Sequence, residues 1–352
     1  MATMIGGTVE QNLSVLLTKA FQAYRQSLLQ KIRRDSSWLV RDFNSLTFLG
    51  AIGRIPALDR LRLRRLELAC SQGLSSSRRG DLDDALSFYG EAQEILALLE
   101  DDMGLAWTIG RSTYEAGTAY LDFRRGLTEQ ACERLGFAMD ADLELEDAGM
   151  TVMQIHRIQQ GHNLARMHFR LGNWDVALRL GGLLIAYLEG QIWQLPFHHG
   201  WRPKALRSVP RSLLRSMIHQ ILSECAVFII TNGKEPDGWS HLIETSLLCR
   251  NPESAVCPQA QFALWAQCSR RSANPIGYLI NLERFLSQGI LECSRLWYLL
   301  VVELAEFCLE VDTHRADEVR TAILRDSAKW KGLPSFLRGR LPVLPSEQNS
   351  LA

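Results

Sequence analysis

The sequence lacks most of the features that announce a chemistry. No pair among its eight cysteines has CxxC spacing, so neither a disulfide framework nor a zinc ribbon is expected. There is no GxxxxGK[ST] phosphate loop, no GxGxxG after a strand, no GxSxG elbow and no HExxH, which removes the common nucleotide, hydrolase and metalloprotease signatures. No apolar run approaches the roughly 18–20 residues that span a bilayer, and the first residues lack the order of a secretory signal. There is no net charge either: 39 basic side chains balance 39 acidic ones, so the counterion-displacing excess of a general nucleic-acid binder is absent. These absences predict a reduced, cytoplasmic, non-enzymatic protein with no cofactor, no metal, no membrane contact and no direct nucleic-acid binding.

What is present is length, apolar content and local charge. The chain has 352 residues, 47% of them hydrophobic, ample for two domains or one extended array. Charge is segregated along it: residues 1–80 carry a net +8, residues 81–150 a net −13, residues 151–230 a net +6 and the remainder −1. Solvated helix faces account for such blocks, and so do surfaces of opposite sign offered to partners.

Periodicity reads as all-α throughout. Val9, Leu13, Leu16, Leu17, Ala20, Phe21, Tyr24, Leu28 and Ile32 keep helical spacing, with Thr8 and Gln11 as a capping box. Three segments superpose without gaps, at 78–92, 124–138 and 170–184. Their glycines, Gly80, Gly126 and Gly172, are 46 residues apart. An alanine follows each by five (Ala85, Ala131, Ala177), and a small residue precedes each by seven (Gly73, Ala119, Ala165). Small residues flanking a glycine turn let two helices approach as an antiparallel hairpin.

This pattern resembles the tetratricopeptide repeat, best over residues 60–190. The first copy has Gly73, Gly80, Asp81, Ala85, Tyr89 and Ala92 at that family's packing places; the third has Gly181 and Leu184 where an aromatic and an alanine are usual. The period of 46 exceeds the family's 34, which implies longer helices. The resemblance implies an α-solenoid of helix hairpins. Its expected organisation is an N-terminal helical cap over 1–58, repeats over 59–190, an inserted Trp/His/Pro loop over 191–210, degenerate hairpins and a C-terminal cap over 211–331, and a loose tail over 332–352. Gly233 marks a fourth hairpin, with further pairs over 259–289 and 294–329.

The resemblance also implies a concave groove lined by the first helix of each pair. Carried over by register, it would present Cys70, Leu74 and Arg78, then Ala116, Tyr120, Phe123 and Arg124, then His162, Asn163, Arg166, Phe169 and Arg170. Arginine suits carboxylates, asparagine a peptide backbone, and aromatics apolar side chains. Phe123 and Phe169 serve equally as packing residues between helices. The expected function is a protein-binding adaptor or regulator that captures a partner segment of acidic character. The alternatives are a ligand- or peptide-sensing regulator and, last, an enzyme using the inserted loop.

That loop holds Trp193, His198, His199 and Trp201. Adjacent histidines are expected to diverge, with no acid inside the loop to orient them; packing of Trp193, Pro196, Phe197 and Trp201 onto the array is the structural alternative. Arg207, Arg211 and Arg215 are expected to form a basic stripe on one helix. Asp140, Asp142 and Glu144 begin like a calcium loop, but Leu145 stands where glycine would turn, so an acidic linker is expected. His156, His162 and His168, rotated by about 240° from one to the next on a helix, cannot converge on one metal.

Overall fold

The computed structural model describes residues 2–29, 52–100, 104–235, 237–290, 294–311, 313–330 and 332–341. Among them all regular structure is helical. The chain divides into two compact units: a middle unit, Ser37–Leu214, and a split unit made of Met1–Ser36 with Arg215–Ala352.

After α1 (Ala2–Leu29), the middle unit contains three pairs: α2 (Ala57–Arg79) with α3 (Leu82–Glu100), α4 (Leu105–Arg124) with α5 (Thr128–Asp147), and α6 (Met153–Arg170) with α7 (Trp174–Leu188). Each helix packs against its neighbour in sequence, and α2 also packs against α4. The α2, α4 and α6 helices end alike. Gly80, Gly126 and Gly172 take the left-handed backbone, with φ of 95°, 81° and 81°. The next amide then donates back to a carbonyl of the last turn: Asp81 to Ser76, Leu127 to Asp122, Asn173 to His168. This six-to-one closure satisfies carbonyls that a helix end would strand, and only glycine adopts it without a Cβ penalty.

The small residues of the repeat lie at helix contacts. Ala85, Ala131, Ala165 and Ala177 have no exposed surface, and Ala119 has 2%. A Cβ on Gly73 would fall 2.8 Å from the Tyr89 ring, and one on Gly117 would fall 2.9 Å from it, so Tyr89 of α3 is seated between glycines of α2 and α4. Leu66, Ala69, Ile95, Tyr114 and Leu121 close the core around it.

The split unit starts with α1 (Ala2–Leu29), which is continuous through Thr8, so Thr8 does not cap it. The Gly6-Gly7 pair weakens a helix by about 1 kcal/mol per glycine but does not end it. This helix, expected as part of a cap over 1–58, packs on α11 (Pro275–Ser287) and α13 (His314–Ser327). Tyr24 stacks on Trp297 with ring centroids 6.0 Å apart and donates to Asp326 at 2.8 Å, while the Trp297 indole donates to Ser27 at 3.0 Å. Residues 30–51 of the expected cap lie outside the described residues.

Its other helices are α8 (Arg211–Thr231), α9 (Asp237–Ser246), α10 (Pro258–Arg271), α12 (Ser294–Glu310) and α14 (Ser335–Arg338). Pro258 and Pro275 open α10 and α11 at the position where a missing N–H costs nothing. The α8 helix is long and apolar enough to cross a membrane by length and composition, which the reading of the sequence overlooked. However, 61% of its apolar window is buried in the chain, as in the core helix of a globular fold. The Arg207, Arg211, Arg215 stripe does not exist: Pro210 separates the 3-10 turn Pro203–Ser208 from α8, so Arg207 is on a different element.

A polar cluster sits between α10, α12 and the chain after α14. Glu303 is buried and accepts from the Gln267 amide, and Arg271 donates to Gln267 Oε1 at 2.6 Å. Arg340 forks onto Glu306 at 2.7 and 2.9 Å. Burial pushes the Glu303 carboxyl up to about 7 against the pull of Arg340. The expected loose tail is therefore corrected over 332–341: Leu337 is fully buried and Arg340 is clamped. Residues 342–352 lie outside the described residues.

Candidate partner-binding surface and loop site

Arg78, Arg124 and Arg170 occupy one repeat position, 46 residues apart, in the last turns of α2, α4 and α6. Each is exposed, and none has a carboxylate partner among the described residues. The arginines beside them differ: Arg79 pairs with Asp81 at 2.9 Å and Arg125 with Asp122 at 3.5 Å. The Arg170 guanidinium lies 5.8 Å from the Tyr120 ring centroid and 5.6 Å from that of Phe123, within cation–π range. Arg124 donates to the Tyr120 hydroxyl at 3.4 Å. It also reaches the α2–α3 turn, where a Cβ on Gly80 would be 3.8 Å from its Nη2.

The Tyr120 phenol reports the electrostatics of this surface. Burial raises its pKa, yet hydrogen bonds and charge from Arg124 and Arg170 outweigh that and bring it below the ordinary value. An anion is therefore favoured at this spot. Phe123 has two contacts, because it also packs on the Ala119, Ala131, Leu135 and Met167 cluster.

Behind the surface a line of hydrogen bonds descends along α6. Arg166 donates to Asn163 Oδ1 at 2.8 Å, Asn163 to Gln160 Oε1 at 3.0 Å, and Gln160 to His156 Nε2 at 2.9 Å. His156 Nδ1 then meets Asp142 at 2.8 Å. Spacings of three, three and four keep these residues on one helix stripe. Donation from Gln160 assigns the ring proton to Nδ1, and every donor points inward. Burial opposes charging of His156, but Asp142 raises its pKa above the ordinary value. Ser112 completes the end of the line by donating to Asp142. The Ser112 hydroxyl also lies 3.2 Å from His156 Nδ1, while Nε2 is taken up by Gln160.

The expected acidic linker is corrected by this network. Residues 140–144 are helical, within α5, because Ala138, Ala141 and Leu145 recur at helical spacing on its buried side. Asp142 points inward to Ser112 and His156.

The loop over 191–210 is held by Arg157, a residue with no exposed surface. Its guanidinium pairs with Glu146 at 3.0 Å, donates to the carbonyls of His199 and of Gly200, and lies 4.2 Å from the Trp201 ring centroid. Burial pushes the Glu146 carboxyl up to about 7, with Arg157 opposing. The loop follows α5 in register: His198 meets Asp140 at 2.8 Å, Gly200 packs on Leu143, and Arg202 pairs with Asp147. The expectation of diverging histidines is thus corrected. His198 takes a left-handed backbone, φ 61°, which turns its ring parallel to that of His199, with centroids 4.6 Å apart. The orienting acid, Asp140, comes from a helix 58 residues upstream.

The anticipated residues therefore separate. Tyr120, Phe123, Arg124 and Arg170 form one contact group, and Arg166 and Asn163 begin the polar line. Arg78 is exposed at the end of α2, and Phe169 is half-buried on α6. His162 is fully buried, and Cys70 is 5% exposed, so neither faces a partner. Their small or planar side chains fall on the stripe that packs against neighbouring helices. In the loop, Trp201 is buried and Trp193 is 64% exposed, so Trp193 is not part of the packed loop core. Arg157, Gln160 and Asp142 were not singled out for these roles. The spacing 156, 160, 163, 166 was a signal for the line, whereas nothing local to Arg157 indicates its burial. Comparison with protein families, curated proteins and solved structures yields no match.

Proposed function

We propose that α2–α7 are three long tetratricopeptide-like repeats of an α-solenoid, and that the protein is a cytoplasmic adaptor or regulator that captures an acidic partner segment at Tyr120, Arg124, Arg166 and Arg170. The observation that carries this reading is the repeat-spaced row of arginines, Arg78, Arg124 and Arg170, without carboxylate partners among the described residues, two of them set around one tyrosine. A guanidinium held over aromatic rings keeps its fork of donors available to a carboxylate while the rings take an apolar flank. Arg166 is oriented by the inward line of hydrogen bonds, which reduces the entropy lost when it takes a ligand.

The test is affinity purification from native cytoplasm with the wild-type chain and with Arg166→Ala/Arg170→Ala. A protein retained by the wild type and lost by the variant is expected, with binding that weakens as salt rises. Equal retention of a confirmed partner by a folded variant overturns the assignment of this surface.

A further inference from the structure

We propose that Asp140, His198 and His199 form a site for a divalent transition-metal ion, best matched to zinc. It is independent of the partner-binding reading. One carboxylate oxygen and one ring nitrogen from each histidine lie within 4.8 Å of one another. Two imidazoles and a carboxylate form a donor set suited to zinc, and three protein ligands leave a fourth position for water or an anionic ligand.

The backbone is arranged to make this convergence. Successive side chains on an extended segment point to opposite sides, so neighbouring histidines do not ordinarily share a ligand. Here the left-handed His198, φ 61°, brings both rings to the Asp140 side with an angle of 18° between their planes. A non-glycine residue in that conformation costs on the order of 1 kcal/mol and persists only where its surroundings impose it. Arg157 imposes it by holding the two carbonyls that follow.

The polar surroundings also suit a cation. His198 Nε2 faces Asp140 at 2.8 Å, and the proton between them occupies the place that a metal takes. Nδ1 accepts from Arg157 Nη2 at 3.0 Å, and the Arg157 charge is offset by Glu146. With a metal on Nε2 the ring proton sits on Nδ1, which gives up that bond and donates to the His199 carbonyl 3.1 Å away, the usual support of a metal-bound histidine. Tetrahedral zinc bond lengths imply a ligand edge of roughly 3.4 Å, and of the three ligands His199 is the exposed one.

The experiment titrates Zn2+ into tag-free, chelator-stripped full-length protein by calorimetry, with Co2+ as a spectroscopic probe. The wild type is expected to take up one equivalent, to melt at a higher temperature with zinc, and to show the visible absorption of four-coordinate cobalt. His199→Ala and Asp140→Asn are each expected to weaken zinc binding by about tenfold or more. Neither substitution removes a contact of Arg157, so circular dichroism and melting without metal should match the wild type; His199→Ala, at an exposed side chain, guards against a folding defect in the other. No uptake by the wild type, or uptake of equal stoichiometry and affinity in both variants, overturns the site.

Discussion

Glu303 shows how one side chain couples this fold to pH. Its carboxyl is buried, accepts from Gln267, and titrates at about 7 because burial outweighs the attraction of Arg340. An unfolded chain ionises the same group near pH 4.3. Since the folded pKa is the higher one, the contribution is complete below about pH 4.3 and is lost as pH rises through 7. The melting temperature of the wild type is expected to fall by about 3–6 °C more than that of Glu303→Gln between pH 5.5 and pH 8. Equal slopes in the two proteins would remove Glu303 as the cause. At this scale the sequence was only partly legible. Tyr120, Phe123, Arg124 and Arg170 could be grouped because the repeat register carries them to equivalent turns. Arg157 could not, because its partners come from α5 and from a loop 40 residues downstream, and sequence spacing holds no record of such contacts.

Among elements, the helix-terminating turn is the recurrent device. The closure at Gly80, Gly126 and Gly172 is repeated at Gly149, Gly190 and Gly233, where Met150, Gln191 and Lys234 donate to Leu145, Ala186 and Ile229. Between α10 and α11 the same closure occurs, Asn274 donating to Ser269, but the left-handed residue is Ala273 at φ 50°. Its Cβ is strained where the other turns have none. Ala273→Gly is expected to stabilise the protein by about 0.5–1 kcal/mol, read as a higher denaturant midpoint at unchanged slope. A lower midpoint would show that the strain is already relieved. The 46-residue period was readable because glycine marks three of these turns in a fixed context. The α10–α11 turn carries no such mark, which is why only an approximate pair over 259–289 could be drawn there. The same reasoning explains the error at 140–144: a run of acids looks like a solvated linker until Ala138, Ala141 and Leu145 are seen to bury the opposite side of the helix.

At the level of the whole molecule, the middle unit interrupts the split one in sequence. Helical class and the repeats of residues 60–190 could be read from local pattern, but the partners of α1 could not, since α11 and α13 lie some 250 residues away in the chain. Removing residues 1–29 uncovers Trp297, which is otherwise fully buried, together with the faces of α11 and α13. Limited proteolysis of that variant is expected to cut within 275–327 while 57–188 stays as resistant as in the full chain. Resistance throughout would show that α1 is dispensable to the split unit. The arrangement has a consequence for biosynthesis. The ribosome releases α1 well before α11 and α13, so its docking surface exists only on the order of tens of seconds later at ordinary elongation rates. Through that interval Tyr24 and its apolar neighbours are a natural client for a holdase chaperone, on a helix made long before the surface that buries it.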